Sequence, residues 1–110
     1  MFSRELKKGS TEMLVLSLLE GRPRHGYEIG KQIERASGGQ LRFRIGSLYP
    51  ILCRLEDKSL ITGRWMERPG ERRRRYYKLT PMGRKALARE RRLWKQFVMT
   101  VSHIVGVRHA

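Results

Sequence analysis

Acidic residues are scarce in this chain: Asp and Glu number 10 against 25 Lys and Arg, a formal net charge of +15 over 110 residues. So large an excess of one sign repels itself. It points to a polyanionic partner, with nucleic acid first and an anionic membrane surface second. Charge serving solubility alone is the remaining reading, although surfaces built for solubility intersperse both signs. Cysteine is nearly absent. Cys53 is the only one, which excludes an intrachain disulfide and the common Cys-based zinc patterns and suits a reducing cytoplasm. Long hydrophobic runs are missing too. The longest, residues 13–19, is interrupted by Ser17 and falls far short of the ~20 residues a membrane span needs. Arg4, Lys7 and Lys8 precede that run as in a signal peptide, but Glu20 and Arg22 follow it without a small-x-small cleavage site, so secretion is not expected. Catalytic constellations are also lacking. His25, His103 and His109 are scattered, the last two are not at the i, i+4 spacing of a helical zinc pair, and no phosphate loop or nucleophile motif occurs. No enzyme activity, metal or cofactor is expected.

What is present suffices for one folded domain, since 39% of the residues are hydrophobic. Ser10 or Thr11 can cap a first helix with Glu12 in its first turn, apolar nearly all round over residues 13–19. Gly21 ends it, and residues 22–26 read as a turn. A second helix over about residues 27–36 carries an apolar stripe of Ile29, Ile33 and Ala36, and its Gly30 suits close approach of another backbone. A third helix begins between Arg44 and Ser47 and reaches about Lys58, with Leu48, Ile51, Leu52 and Leu55 facing inward. Pro50 fits it if Ser47 is the cap, because first-turn amides have no intrahelical partner. Residues 61–67 and 72–79 read as two strands joined by a turn at Pro69-Gly70. Thr80 then caps a last helix, with Pro81 at its first position, running to about Val105.

Helix, helix, helix, hairpin, long helix is the order of a winged helix-turn-helix. The expected fold class is α+β, mainly α, with a long C-terminal dimerisation helix. Residues 1–80 would form the DNA-binding domain and residues 81–110 the dimerisation helix and tail. Opposite its inner face the third helix presents Gly46, Ser47, Pro50, Cys53, Arg54 and Asp57. Small residues let its backbone approach DNA, and Arg54 suits a phosphate or a guanine edge. Arg68, Arg72, Arg73, Arg74 and Arg75 cluster around the hairpin turn, relieved only by Glu67 and Glu71, where phosphate binding outweighs a merely solvated edge. Tyr77 is expected to pack under the hairpin. Tyr76 facing outward keeps base stacking on single-stranded RNA open. Cys53 beside Arg54 leaves redox sensing open. Leu93, Trp94, Phe97, Val98, Val101 and Ile104 form the apolar side of the last helix, too large for one small domain to cover, which predicts a homodimer. Trp94 and Phe97, brought together in two copies, would frame a slot for a planar aromatic ligand, or else a closed core.

The stretch from Ser47 through Leu48, Tyr49, Pro50, Ile51 and Leu52, followed by Arg54-Leu55-Glu56, Leu60-Ile61, Arg75-Tyr76-Tyr77, Leu79-Thr80 and Gly83, resembles the PadR family of bacterial transcriptional regulators. His25-Gly26-Tyr27-Glu28-Ile29 is similar to the start of that family's second helix. The resemblance implies a winged-helix dimer, usually a repressor, often released by small phenolic or hydrophobic compounds, and the single C-terminal helix is similar to the compact subgroup. It implies that Tyr49 opens the recognition helix, either touching phosphate or packing at the core edge. Ile45 departs from a common proline, and Ser59 replaces a common glycine, so a left-handed cap there would be strained. The DNA-binding residues expected are Arg44, Ser47, Tyr49, Arg54 and Arg72 to Arg75, on double-stranded DNA. A basic module without operator choice, of RNA-binding or nucleoid type, is the alternative.

Overall fold

The computed structural model describes residues 10–107. Among these residues the elements run α1 (Thr11–Leu18), β1 (Arg24–His25), α2 (Gly26–Ala36), α3 (Ile45–Asp57), β2 (Ile61–Met66), β3 (Arg74–Leu79) and α4 (Pro81–Val105). One core joins them. Val15, Leu16 and Leu19 come from α1 and its end, Ile29 and Ile33 from α2, and Leu48, Leu52 and Leu55 from α3. Ile61, Tyr77 and Leu79 come from the sheet and Leu87 from α4. Each fully buried leucine contributes roughly 1.5–3 kcal/mol. Gly30 admits α3 closely, because a Cβ there would stand 3.3 Å from Leu48 Cδ1 and 3.4 Å from the Phe43 carbonyl oxygen.

The sheet has three strands, ordered β1-β3-β2. Its first strand lies inside the segment expected to be only a turn. Arg24 pairs with Tyr77 and His25 with Tyr76, so a two-residue extended stretch becomes a strand because β3 offers it a partner. The hairpin ladder runs from Ile61 opposite Leu79 to Met66 opposite Arg74. At its tip Pro69 and Gly70 form the expected turn, closed by the Glu71 amide donating to the Arg68 carbonyl at 3.0 Å, with Gly70 at φ +74°. The unpaired tip is longer than expected, because Glu67, Arg72 and Arg73 flank that turn outside the ladder.

Two further expectations are corrected. Ser47 does not cap α3. Arg44 holds the N-cap position with extended backbone, and Pro50 lies inside the helix rather than in its first turn. The proline leaves the Gly46 carbonyl without its usual amide partner, and Gly46 stands exposed, where water can serve it. Tyr76 does not face outward. It is 8% exposed, its ring meeting His25 edge-on at 5.2 Å with the Arg68 guanidinium 5.0 Å from its centre.

The end of α3 has the left-handed cap that the sequence makes costly. Ser59 adopts φ +62°, its amide donates to Glu56 O at 2.9 Å, and the Leu60 amide reaches back to Leu55 O at 3.0 Å. This turn is tied to the start of α4. Thr80 Oγ1 donates to Ser59 O at 2.7 Å and accepts from the Gly83 amide at 2.9 Å, capping α4 as expected. Gly83 lies against the Leu60 carbonyl so closely that a Cβ would collide with it.

Candidate nucleic-acid interface

With Leu48, Leu52 and Leu55 wholly buried, α3 must turn its other side to solvent. Arg44, Ser47 and Tyr49 are all exposed there, near the helix start. Arg54, a turn further on, is also exposed but leans toward α1, with Nε 3.6 Å from Glu12 Oε2. Lys58 shares that carboxylate at 3.2 Å. Arg54 thus has an exposed ion-pair partner on the flank of α3, away from its first turn. Cys53 is half-buried.

The four arginines of the hairpin divide by position. Arg72 and Arg73 stand in the tip loop, both exposed. Arg73 lies 5.0 Å from the centre of the Trp65 ring, a cation–π contact, and 3.8 Å from Glu67. Arg74 and Arg75 belong to β3 and point to opposite faces, as strand neighbours must. Arg74 Nη1 lies 3.3 Å from His25 Nδ1. Arg75 crosses Gly63, where a Cβ would strike the guanidinium, and its Nη2 donates to Glu56 Oε2 at 2.9 Å. That bond raises the Arg75 pKa, so its charge is permanent. Of the four arginines expected on phosphate, Arg74 and Arg75 thus have partners on other elements, and Arg73 has exposed partners within the hairpin.

His25 occupies the N-cap of α2, its Nδ1 accepting from the Glu28 amide at 3.2 Å. Burial, and then the positive field of Arg74, lowers its pKa from the ordinary 6.5. The ring is neutral at neutral pH, with Nδ1 free to accept.

These parts meet in one surface depression. Tyr27 at the start of α2, Ile45 and Tyr49 of α3, and Trp65, Arg73 and Arg75 of the hairpin line it together. Tyr27, Ile45, Tyr49 and Trp65 are each more than half exposed, which is unusual for four large side chains on one face. Tyr27 and Trp65 were not among the residues expected here. A signal existed for Trp65, since a strand tryptophan outside the buried alternation must face solvent or a partner, but the pairing of Trp65 with Arg75 follows from register alone.

Far from this depression, α4 leaves the core after Leu87. The Arg91 guanidinium fixes its course, donating to both Glu20 carboxylate oxygens at 2.9 and 3.1 Å and to Ser17 Oγ at 3.1 Å. Arg91 in turn lowers the Glu20 pKa. Beyond that tie Leu93, Trp94, Phe97, Val101 and Ile104 are exposed and Val98 is half-buried. Trp94 and Phe97 stand one turn apart, ring centres 6.3 Å from each other. His103 is exposed on the same helix, while His109 lies outside the described residues. No cluster of potential metal ligands and no helix long and apolar enough to cross a membrane occurs among the described residues.

The chain is similar to known proteins in sequence and in fold. A solved transcriptional regulator from Clostridium thermocellum superimposes with a TM-score of 0.87 at 28% identity, over 96% of this chain and 99% of that one. Transcriptional regulator Rv3488 of Mycobacterium tuberculosis is 31% identical over 107 residues, 94% of this chain and 96% of the relative. An uncharacterized 37.1 kDa protein of transposon TN4556 in Streptomyces fradiae is 45% identical over 85 residues, but the match spans 77% of this chain and only 23% of that protein. The transcriptional regulator PadR-like family matches residues 15–89. That family consists of transcriptional regulators rather than enzymes, its members sharing a mainly helical winged-helix fold with a small sheet, and this chain belongs to it.

Proposed function

We propose that this protein is a cytoplasmic homodimer that recognises a specific DNA operator and represses transcription by occupying it. One observation carries this reading: the exposed start of α3 and the arginine-bearing wing line a single continuous depression. Laid on B-form DNA, α3 enters the major groove while the wing grips the adjoining backbone. Arg44, Ser47 and Tyr49 are the residues nearest the base edges in that pose. Arg72 and Arg73 take phosphate. Arg74 and Arg75 act through the wing they stiffen, and Arg54 flanks the site on its tie to Glu12. Residues 1–80 form the DNA-binding body in this reading, and residues 81–110 the dimerisation arm.

The uncovered side of α4 supplies the dimer seam. Leu93, Phe97, Val101 and Ile104 are too large and too exposed to stay in water on an isolated helix. A planar aromatic effector entering between the two copies of Trp94 and Phe97 would release the operator only by favouring one spacing of the recognition helices. In the alternative of general RNA binding, Tyr76 is not the stacking residue, since it is buried.

A gel shift on the protein's own promoter with excess nonspecific competitor tests operator choice. A retained promoter complex is expected, and loss of all complexes would convert the protein into a general basic binder. Light scattering tests the seam. Wild type is expected to be dimeric at micromolar concentration, and a chain truncated before Leu93 monomeric. A stable wild-type monomer refutes the dimer.

A further inference from the structure

On the other side of a ridge made by His25 and Arg74, the protein has a second basic concavity. It is an open cleft of about 760 Å³ between the wing tip and the start of α2. Arg22, Arg68, Arg72 and Arg74 line it, together with His25 and Tyr76. Its carboxylates are Glu28 and Glu71. Glu28 is already neutralised twice, by Arg22 and by Arg24 at 3.1 Å, and those partners lower its pKa against the opposing effect of burial. That leaves Glu71 alone against Arg68, Arg72 and Arg74, none of which pairs with a carboxylate among the described residues. Arg68 is laid flat on the Tyr76 ring and Arg74 is held at His25, so two of the three guanidinium groups are positioned in advance.

Two positioned guanidinium forks, a third exposed beside them, and one opposing carboxylate make a receptor for a tetrahedral oxyanion rather than for a planar apolar compound. We propose that this cleft holds a single phosphate group, gripped jointly by Arg68 and Arg72. The proposal rests on the DNA-binding reading where the phosphate belongs to a DNA backbone. The cleft shares the His25 and Arg74 wall with the depression beside α3, so a strand read by α3 passes its mouth. A free phosphorylated compound offers the same chemistry, and the experiment separates the two sources.

In the first arm, affinity for a random-sequence duplex is measured between 50 and 200 mM salt for wild type, Arg68→Ala, Arg72→Ala and the double variant. Each phosphate neutralised adds about 0.9 to the slope of log affinity against log salt. Two arginines on one phosphate should therefore each remove up to about 0.9, and the double variant no more than that. A loss near 1.8 in the double variant means two separate phosphate contacts and overturns the proposal. In the second arm, pyrophosphate is titrated calorimetrically into the protein without DNA. Saturable binding that disappears in the double variant, with unchanged DNA slopes, upholds the site and assigns it to a free compound. Unchanged slopes with no saturable pyrophosphate binding overturn it. If wild type binds no duplex at all, the DNA-binding reading falls and the pyrophosphate arm alone decides the cleft.

Discussion

Arg75 and Glu56 tie the wing to the recognition helix, the guanidinium Nη2 donating to the carboxylate at 2.9 Å across the bare backbone of Gly63. The two residues are 19 apart in sequence and belong to different elements, so this bond braces the hairpin against α3 beside the core contacts of Ile61, Tyr77 and Leu79.

Arg73 and Arg75 should therefore behave differently although both sit in the same arginine run. Arg73→Ala is expected to lower the salt slope of DNA binding by about 0.9. Arg75→Ala, like Gly63→Ala, should weaken binding while leaving that slope unchanged, because what is lost is the placing of the wing. Anisotropy titrations at several salt concentrations make the comparison. A reduced slope for Arg75→Ala would return Arg75 to the phosphate contacts.

Sequence preference should reside at the start of α3 and not at Arg54. Arg44→Ala is expected to cost ~1–3 kcal/mol on the preferred operator and little on random DNA. Arg54→Ala, whose side chain pairs with Glu12 at 3.6 Å, should affect the two DNAs alike. The ratio of specific to nonspecific affinity is the measurement, and a fall in that ratio for Arg54→Ala would restore Arg54 as a base reader.

Ser59 carries a removable strain. Its φ of +62° suits glycine, and the hydrogen bonds of that cap use backbone groups only. Ser59→Gly should stabilise the fold by about 0.5–1 kcal/mol. Thermal melts of the two proteins at equal concentration read the effect, and an unchanged or lower Tm contradicts it.

Mild acid should loosen the start of α2. The His25 pKa lies below 6.5 in the fold, so the unfolded chain takes up this proton first. Stability from the neutral ring is complete above pH 6.5 and falls as the pH drops through 6.5 toward the folded value. Arg22 and Arg74 oppose protonation while Glu28 and Glu71 favour it. Wild type should lose Tm between pH 7.5 and 5.5, and His25→Asn, which keeps a capping acceptor, should lose less. Equal losses would remove His25 from the acid response.

Much of this architecture is written in short-range signals. The Leu48, Leu52 and Leu55 spacing marks α3, Thr80-Pro81 marks the start of α4, and Pro69-Gly70 marks the wing turn, because each is settled by residues within one turn of itself. Gly30 and Ser59 also announce their roles. The missing parts depend on partners distant in sequence. Arg24 and His25 form a strand only because Tyr76 and Tyr77 lie alongside. Tyr76 is buried because His25 and Arg68 cover it. The division of four neighbouring arginines between tip and strand follows from where the ladder ends, at Met66 and Arg74. The first-turn place given to Pro50 failed for a local reason: the caps Arg44 and Ser47 compete within three residues, and packing of α3 decides between them.

The stitching of Thr80 to Ser59 and Leu60, with Gly83 seated on the Leu60 carbonyl, gives the molecule a fulcrum. The 25 residues of α4 span about 37 Å at 1.5 Å per residue. Leu87 in the core and the Arg91–Glu20 tie hold its first part on the body, so the arm that leaves the body is residues 92–105, about 21 Å long. A displacement imposed at its tip is met first by the Arg91–Glu20 tie and the packing of Leu87, and then by the stitch beside the end of α3.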